Sequence, residues 1–389
     1  MDEKITGSAF WRLRAALKHP DRVRGITFEG TRAGFDKFFK VTNCPFPVLE
    51  SLVLRFGFGC EPKLPDTFLK GPDVLGLRHL RSLKLYHVSL PSISGFLASA
   101  TALTDLCLLI DTVSCPSPET SLLACLQGIL SLRSLDLSIS SSPPDSPSRP
   151  STPENIVTLS KLTRFRYYGC GVLLNTLVSG LSAPSLRDVD ILFADTIWPS
   201  EVHLSRFINE IEEHYHTAHL VFRGWIFRLS LLTHSEHISH RKPRFTFGPG
   251  PSHSDSTESI MKLGSTLSAK FSTVEELRVS FHGMAVNVWE NVIPWRRFLQ
   301  HFPNVKALQT EGANNYRIAS TLLQIYENPD GLSLLPALEQ IELGKYTFST
   351  HEKSQCEPEL AAFEPFVSAR RQEGRPVKVF LGPYWSYRG

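Results

Sequence analysis

Three apolar residues at positions i, i+3 and i+5 recur about every 28 residues, and no other feature of the chain limits its fold as strongly. The spacing occurs at Val23/Ile26/Phe28, Leu49/Leu52/Leu54, Leu80/Leu83/Leu85, Leu103/Leu106/Leu108 and Leu132/Leu135/Leu137. It continues at Leu162/Phe165/Tyr167, Leu186/Val189/Ile191, Val274/Leu277/Val279, Val305/Leu308/Thr310 and Leu338/Ile341/Leu343, the last in the stretch "LPALEQIELGK". Successive starts differ by 26, 31, 23, 29, 30 and 24 residues, then by 88, then by 31 and 33. The long interval is close to three times 29, so a degenerate continuation is expected inside it. Positions i+3 and i+5 lie on one face of a short strand, and position i begins the turn into it.

Helix-like stretches separate the triplets: "SISGFLASATAL", "SLLACLQGIL", "LLNTLVSGL", "HLSRFINEIEEHYH", "STESIMKLGSTL", "PWRRFLQHF" and "RIASTLLQIYE". In the fourth, Phe207, Ile208, Ile211 and Tyr215 form an apolar stripe at helical spacing, leaving Glu210, Glu212 and Glu213 for solvent. A helix-then-strand unit of this length buries its apolar side only by stacking on its neighbours. The expectation is an α/β solenoid, with a curved parallel sheet inside, helices outside and irregular repeats.

The triplets resemble the leucine-rich-repeat family, whose hallmark is LxxLxLxx(N/C). Three positions past the last apolar residue the chain has Thr31, Gly57, Val88, Asp111, Ser140, Cys170, Ala194, His282, Ala313 and Tyr346, so only Cys170 meets the Asn/Cys rule. A side-chain ladder at the turns is thus mostly absent, and irregular turns are expected. The stretches "VRGITFEGTRAGFDKFF", "FPVLESLVLRF" and "LAAFEPFVSARRQEGRPVKVF" are similar to the F-box/leucine-rich-repeat proteins of mushroom-forming fungi. In that family an N-terminal F-box ties the protein to a cullin ubiquitin ligase through its adaptor, and the repeats select substrates. Barely 20 residues precede the first triplet here, too few for a complete F-box.

The resulting division is an N-terminal helical cap over 1–20, a first arc over 21–217, a strand pair with a flexible loop over 218–260, and a second arc with a C-terminal cap over 261–389. Within the first arc, "SISSSPPDSPSRPSTPE" at 138–154 is Ser/Pro-rich and reads as an exposed loop. Its Ser142, Ser146 and Thr152 each precede proline, as proline-directed kinases require. "AHLVFRGWIFRLSLL" holds two β-like runs around Arg223-Gly224, and "KPRFTF" is a further short strand. "EPFVSARRQEGRPVKVFLGPYW" reads as a helix, a glycine-containing turn and a final strand from Val377 to Leu381.

Composition removes several function classes. Lys plus Arg (41) against Asp plus Glu (38) leaves +3, too little to draw nucleic acid or an anionic membrane over long range. Seven scattered cysteines without a CxxC describe free thiols in a reducing compartment. No basic-then-apolar leader and no run of 18 apolar residues occurs, so the expected location is the cytoplasm or nucleus. No GxSxG, Walker or GxGxxG motif is present, and no cofactor is expected. Two histidine clusters, His214/His216/His219 and His234/His237/His240, have spacings that could bring two nitrogens onto a metal, but no HExxH or paired CxxC accompanies them. A metal-dependent hydrolase built on them is the alternative from the enzyme class, and a truncated F-box protein without a retained role is a third reading.

A repeat strand exposes a regular set of side chains. With i, i+3 and i+5 buried, positions i+2, i+4 and i+6 face the concave surface: Glu29, Arg55, Lys84, Tyr86, Asp105, Asp136, Arg164, Arg166, Tyr168, Asp188, Asp190, Glu276, Arg278, Glu311 and Glu342. Basic and acidic groups alternate along this series, which suits another protein and opposes a polyanion. The expected function is non-enzymatic protein recognition, with substrate selection for a cullin-type ubiquitin ligase implied by the family resemblance, and with the ligase adaptor as a partner if an F-box is restored.

Overall fold

A computed structural model describes residues 19–30, 46–56, 78–88, 90–111, 118–140, 156–193, 201–223, 226–233, 244–249, 256–282, 292–311, 315–327, 334–344 and 356–381. Expectations for 1–18, the proline-directed sites Ser142, Ser146 and Thr152, and His234, His237 and His240 fall outside these residues. The chain divides into two compact units, 1–186 and 187–389. The fold is mixed α/β, with parallel strands and helices and no closure into a barrel.

In the first unit six strands pair in parallel: β1 (Gly25–Gly30), β2 (Ser51–Phe56), β3 (Ser82–Val88), β4 (Asp105–Asp111), β5 (Ser134–Ser140) and, after the two-residue β6 (Val157–Thr158), β7 (Arg164–Gly169). Helices α1 (Leu90–Ser99), α2 (Pro118–Gln127) and α3 (Gly171–Gly180) follow β3, β4 and β7, and β8 (Leu181–Ser182) pairs with β6. Every strand begins at position i+2 of its triplet, so i+3 and i+5 point into the core. Leu52, Leu54, Leu83, Leu85, Leu106, Leu108, Leu135, Leu137, Phe165 and Tyr167 are all buried. On β1, which has a single neighbour among the described strands, Ile26 and Phe28 are only half buried. Of the stretch expected as a Ser/Pro-rich loop, Ser138 to Ser140 are strand, paired in register with β4, and 141–154 lies outside the described residues.

The second unit opens with β9 (Asp188–Phe193), α4 (Glu201–Asn209), β10 (Thr217–Arg223), β11 (Ile226–Leu232) and β12 (Arg244–Pro249). The strand pair expected around Arg223-Gly224 is present: β10 and β11 are antiparallel, with Arg223 opposite Ile226. The "KPRFTF" strand is β12, antiparallel to β11 and parallel to β9. Then come α5 (Ser256–Phe271), β13 (Glu276–His282), α6 (Val292–Leu299), β14 (Ala307–Glu311), α7 (Asn315–Tyr326), β15 (Gln340–Gly344), α8 (Cys356–Gln372) and β16 (Lys378–Leu381). Strands β10, β13, β14, β15 and β16 pair in parallel in that order. Gly374, at φ +76°, makes the turn between α8 and the last strand, a conformation that favours glycine.

The expected helical stripe over 204–215 breaks at Asn209. The Ile211 amide bonds to the Ile208 carbonyl at 3.1 Å, three residues back instead of four, and the chain leaves the helix there. Ile211 and Tyr215 are still fully buried, but from an extended segment. Tyr215, Ala218 and Leu220 then form an i, i+3, i+5 set, all inaccessible, 29 residues after Leu186. This is a repeat inside the long interval, and β11 and β12 stand between it and β9.

Backbone groups also join successive repeats at the strand starts. The carbonyl at i+1 accepts two amides, from i+1 and i+2 of the next repeat: Arg24 from Glu50 and Ser51, Glu50 from Arg81 and Ser82, Arg81 from Thr104 and Asp105, Thr104 from Arg133 and Ser134, and Arg133 from Thr163 and Arg164, at 2.7–3.0 Å. The second unit repeats this at His216, Glu275 and Lys306. An additional apolar position at i−3 is buried at Phe46, Ala100, Ile129, Leu159, Ala183, Phe271, Phe302 and Leu335. The amide at position i closes onto its carbonyl in most of these turns, for example Leu132 onto Ile129 at 3.2 Å.

Candidate functional site on the polar strand face

Because the parallel strands pair without slippage through most of their length, the residues opposite the core line up in rows. In the first unit one row runs Thr27, Val53, Lys84, Cys107, Asp136, Arg166, and the next runs Glu29, Arg55, Tyr86, Leu109, Ser138, Tyr168. The only register shift along these rows lies past Tyr86, where His87 takes φ 60°. Arg55, Lys84, Asp105, Arg164, Arg166 and Tyr168 are exposed, whereas Tyr86 and Asp136 are half buried.

These groups interact along the rows. Arg55 lies 3.7 Å from the Glu29 carboxylate and 4.8 Å above the centre of the Tyr86 ring, a cation–π contact. Burial pushes the Tyr86 phenol above its ordinary range, the neighbouring Cys107 adds to this, and Arg55 opposes it. Cys107 is a free thiol, raised first by burial and then by the Asp136 carboxylate; Tyr86, Lys84 and Arg55 pull it back. A thiol held in its neutral form is a poor nucleophile. Asp105 accepts from the Thr104 hydroxyl at 2.7 Å.

The second unit's rows are more enclosed. The central one runs Asp190, Thr246, Ser230, His219, Arg278, Gln309, Glu342, Phe380. Arg228 reaches Asp190 at 2.9 Å, and Arg278 reaches Glu276 at 2.9 Å with both side chains under one-fifth exposed. Thr217 donates to Glu276 at 3.2 Å, and the Gln309 amide donates to Glu342 at 2.9 Å. Glu342 is buried, so it does not stand in solvent as the alternation implies; Asp188, Asp190, Glu276, Arg278 and Glu311 are half buried.

His214 and His216 are exposed in the segment before β10, and His219 lies on β10 with its Nε2 2.9 Å from the Ser280 hydroxyl. Ser280 donates to Glu311 at 3.1 Å. A Ser–His–acid triad places the imidazole between hydroxyl and carboxylate. Here the serine is in the middle, so its proton is committed to Glu311, and Ser280 is only 2% exposed. Among the described residues no group of three or more His, Cys, Asp or Glu side chains is arranged to hold a metal.

Two features of the site were not read from sequence: the in-line register of the rows and the self-pairing of the second unit's charges. The first could be found by noting that each strand begins two residues after a triplet start. The second depends on side-chain reach over an intervening strand, as from β11 across β12 to β9, which no spacing encodes. Among the described residues no helix is long and apolar enough to cross a membrane. No protein-family model matches the sequence, and no curated protein matches it.

Proposed function

We propose that the chain is a non-enzymatic protein-recognition module, built as a leucine-rich-repeat-type solenoid, which grips another protein with the polar face of its strands. The observation that carries this reading is the set of exposed charged and aromatic side chains held in register on the first unit's strands: Arg55, Lys84, Arg164, Arg166 and Tyr168. A rigid sheet presents such groups at fixed spacing with little ordering cost on binding, which favours a specific protein surface. Substrate selection for a cullin-type ubiquitin ligase is the finer form of the proposal and rests on the family resemblance of the sequence.

The test is an affinity pulldown from native cell extract with wild type and the double change Arg164→Glu with Arg166→Glu, circular dichroism serving as the folding control. A partner lost on mutation supports the recognition face. Retention of the same partners moves the site elsewhere, and no partner at all removes the reading. Capture of the cullin adaptor would support the ligase form specifically.

A further inference from the structure

Most cations on the polar strand faces have a carboxylate beside them. Arg228 and Arg278 are each paired at 2.9 Å in the second unit, and Arg55 lies 3.7 Å from Glu29 in the first. In the first unit Lys84 and Arg166 are exposed and form no ion pair among the described residues. Both occupy position i+4 of their repeats, in one row, and each is followed two residues later by a tyrosine, Tyr86 and Tyr168, in the adjacent row. The sequence Lys-x-Tyr on β3 is thus repeated as Arg-x-Tyr on β7, three strand steps away, or about 14 Å at the usual strand separation.

Resting on the recognition role proposed above, we infer that the first unit binds an acidic segment of a partner protein laid across β3, β4, β5 and β7, with one carboxylate at Lys84 and another at Arg166. Tyr86 and Tyr168 flank the two positions, with Tyr168 half exposed. Asp136 stands between the cations in the same row, so a continuous run of phosphates would meet a carboxylate where spaced acidic side chains would not. In an extended segment the 14 Å span corresponds to about four residues, so acidic groups at n and n+4 match the pair.

The experiment uses the full chain and three fluorescent probes: a 15-residue peptide with glutamate at every fourth position, the same peptide with glutamine replacing glutamate, and a 15-nucleotide single-stranded DNA. Anisotropy titrations compare wild type, Lys84→Gln with Arg166→Gln, and a charge-matched control in the second unit, Lys306→Gln with Lys378→Gln. The glutamate peptide should bind wild type and the control alike, weaken roughly fivefold or more in the Lys84/Arg166 variant, and weaken further when salt is raised. Equal binding by all three proteins, or tighter binding of the glutamine peptide or the DNA, overturns the inference. If the glutamate peptide fails to bind while the extract pulldown still returns a partner sensitive to the Arg164/Arg166 change, the recognition role stands and the acidic partner falls. Thermal melts of each variant exclude unfolding as the cause.

Discussion

Thr310 offers a stability measurement whose sign follows from its surroundings. It occupies position i+5 on β14, between Val279 and Leu343 on the neighbouring strands, a place held elsewhere by Leu, Val, Ile, Tyr or Phe. It is 1% exposed, and its hydroxyl has no hydrogen-bond partner. An unmet buried hydroxyl costs about 1–3 kcal/mol. Valine has the same branching and the same strand preference, so Thr310→Val replaces that oxygen by a methyl without a backbone cost. The expected gain is about 1–3 kcal/mol, or about 2–4 °C in melting temperature per kcal/mol for a unit of this size. Thr217 supplies the control, because it is equally buried but donates to Glu276 at 3.2 Å. Thr217→Val should therefore destabilise, by about 1–3 kcal/mol, since it strips a half-buried carboxylate of a donor. Urea denaturation of the two variants, at unchanged m-value, makes the comparison. A loss for Thr310→Val, or the same sign for both, would refute the idea that hydrogen-bond satisfaction decides these positions.

Gly169 ends β7 where an added Cβ would lie 2.7 Å from the Tyr167 hydroxyl and 3.2 Å from the Ile139 carbonyl; Tyr167 is fixed by its bond to the Cys170 carbonyl at 2.7 Å. Gly169→Ala should accordingly cost about 1–3 kcal/mol in chemical denaturation, and Tyr167→Phe combined with it should recover part of that loss. His87 sits at φ 60°, so His87→Gly should raise the melting temperature, with relief of about 1 kcal/mol. His301 lies over Gly264 at the end of α6, and burial holds its imidazole below the ordinary value of about 6.5. The unfolded chain then takes up a proton before the folded one does, so stability should fall as pH drops below about 6.5 and level off under the folded value. Denaturation at several pH values should show a smaller acid loss in His301→Gln than in wild type, and equal slopes would remove His301 as the cause.

Much of the strand arrangement was legible because parallel strands paired in register share one burial pattern: triplets from Leu49/Leu52/Leu54 onward mark core positions, and the helices between them appear where their apolar periodicity lies. The failures have identifiable physics. The stripe through Ile211 and Tyr215 has helical spacing, yet an extended chain can also bury both, and the turn at Ile208–Ile211 decides it. The repeat at Tyr215/Ala218/Leu220 escaped because tyrosine and alanine weaken the leucine rhythm, although its 29-residue offset from Leu186 is regular. The i−3 position was missed because alanine at 100 and 183 carries little hydrophobic signal alone. On the polar face, alternation located every candidate strand residue but not its exposure: Glu342 alternates like Lys84, and only the neighbouring Gln309 shows why its carboxylate is buried.

The turns tie these observations to function. Here the stacking of successive strand starts is carried by carbonyls at i+1 that each accept two backbone amides, an arrangement open to Arg24, Glu50, Arg81, Thr104 and Arg133 alike. Side chains at i+2, i+4 and i+6 are then released from holding the repeats together and can take any polarity the face tolerates. The second unit uses that freedom to pair charge internally, as in Arg278–Glu276 and Arg228–Asp190. In the first unit Lys84 and Arg166 remain in solvent at one level of the sheet. If their placement serves only solubility, moving either cation by two positions along its strand should leave partner binding unchanged. If it serves recognition, Lys84→Ser with Ser82→Lys should weaken binding even though composition, net charge and fold are conserved.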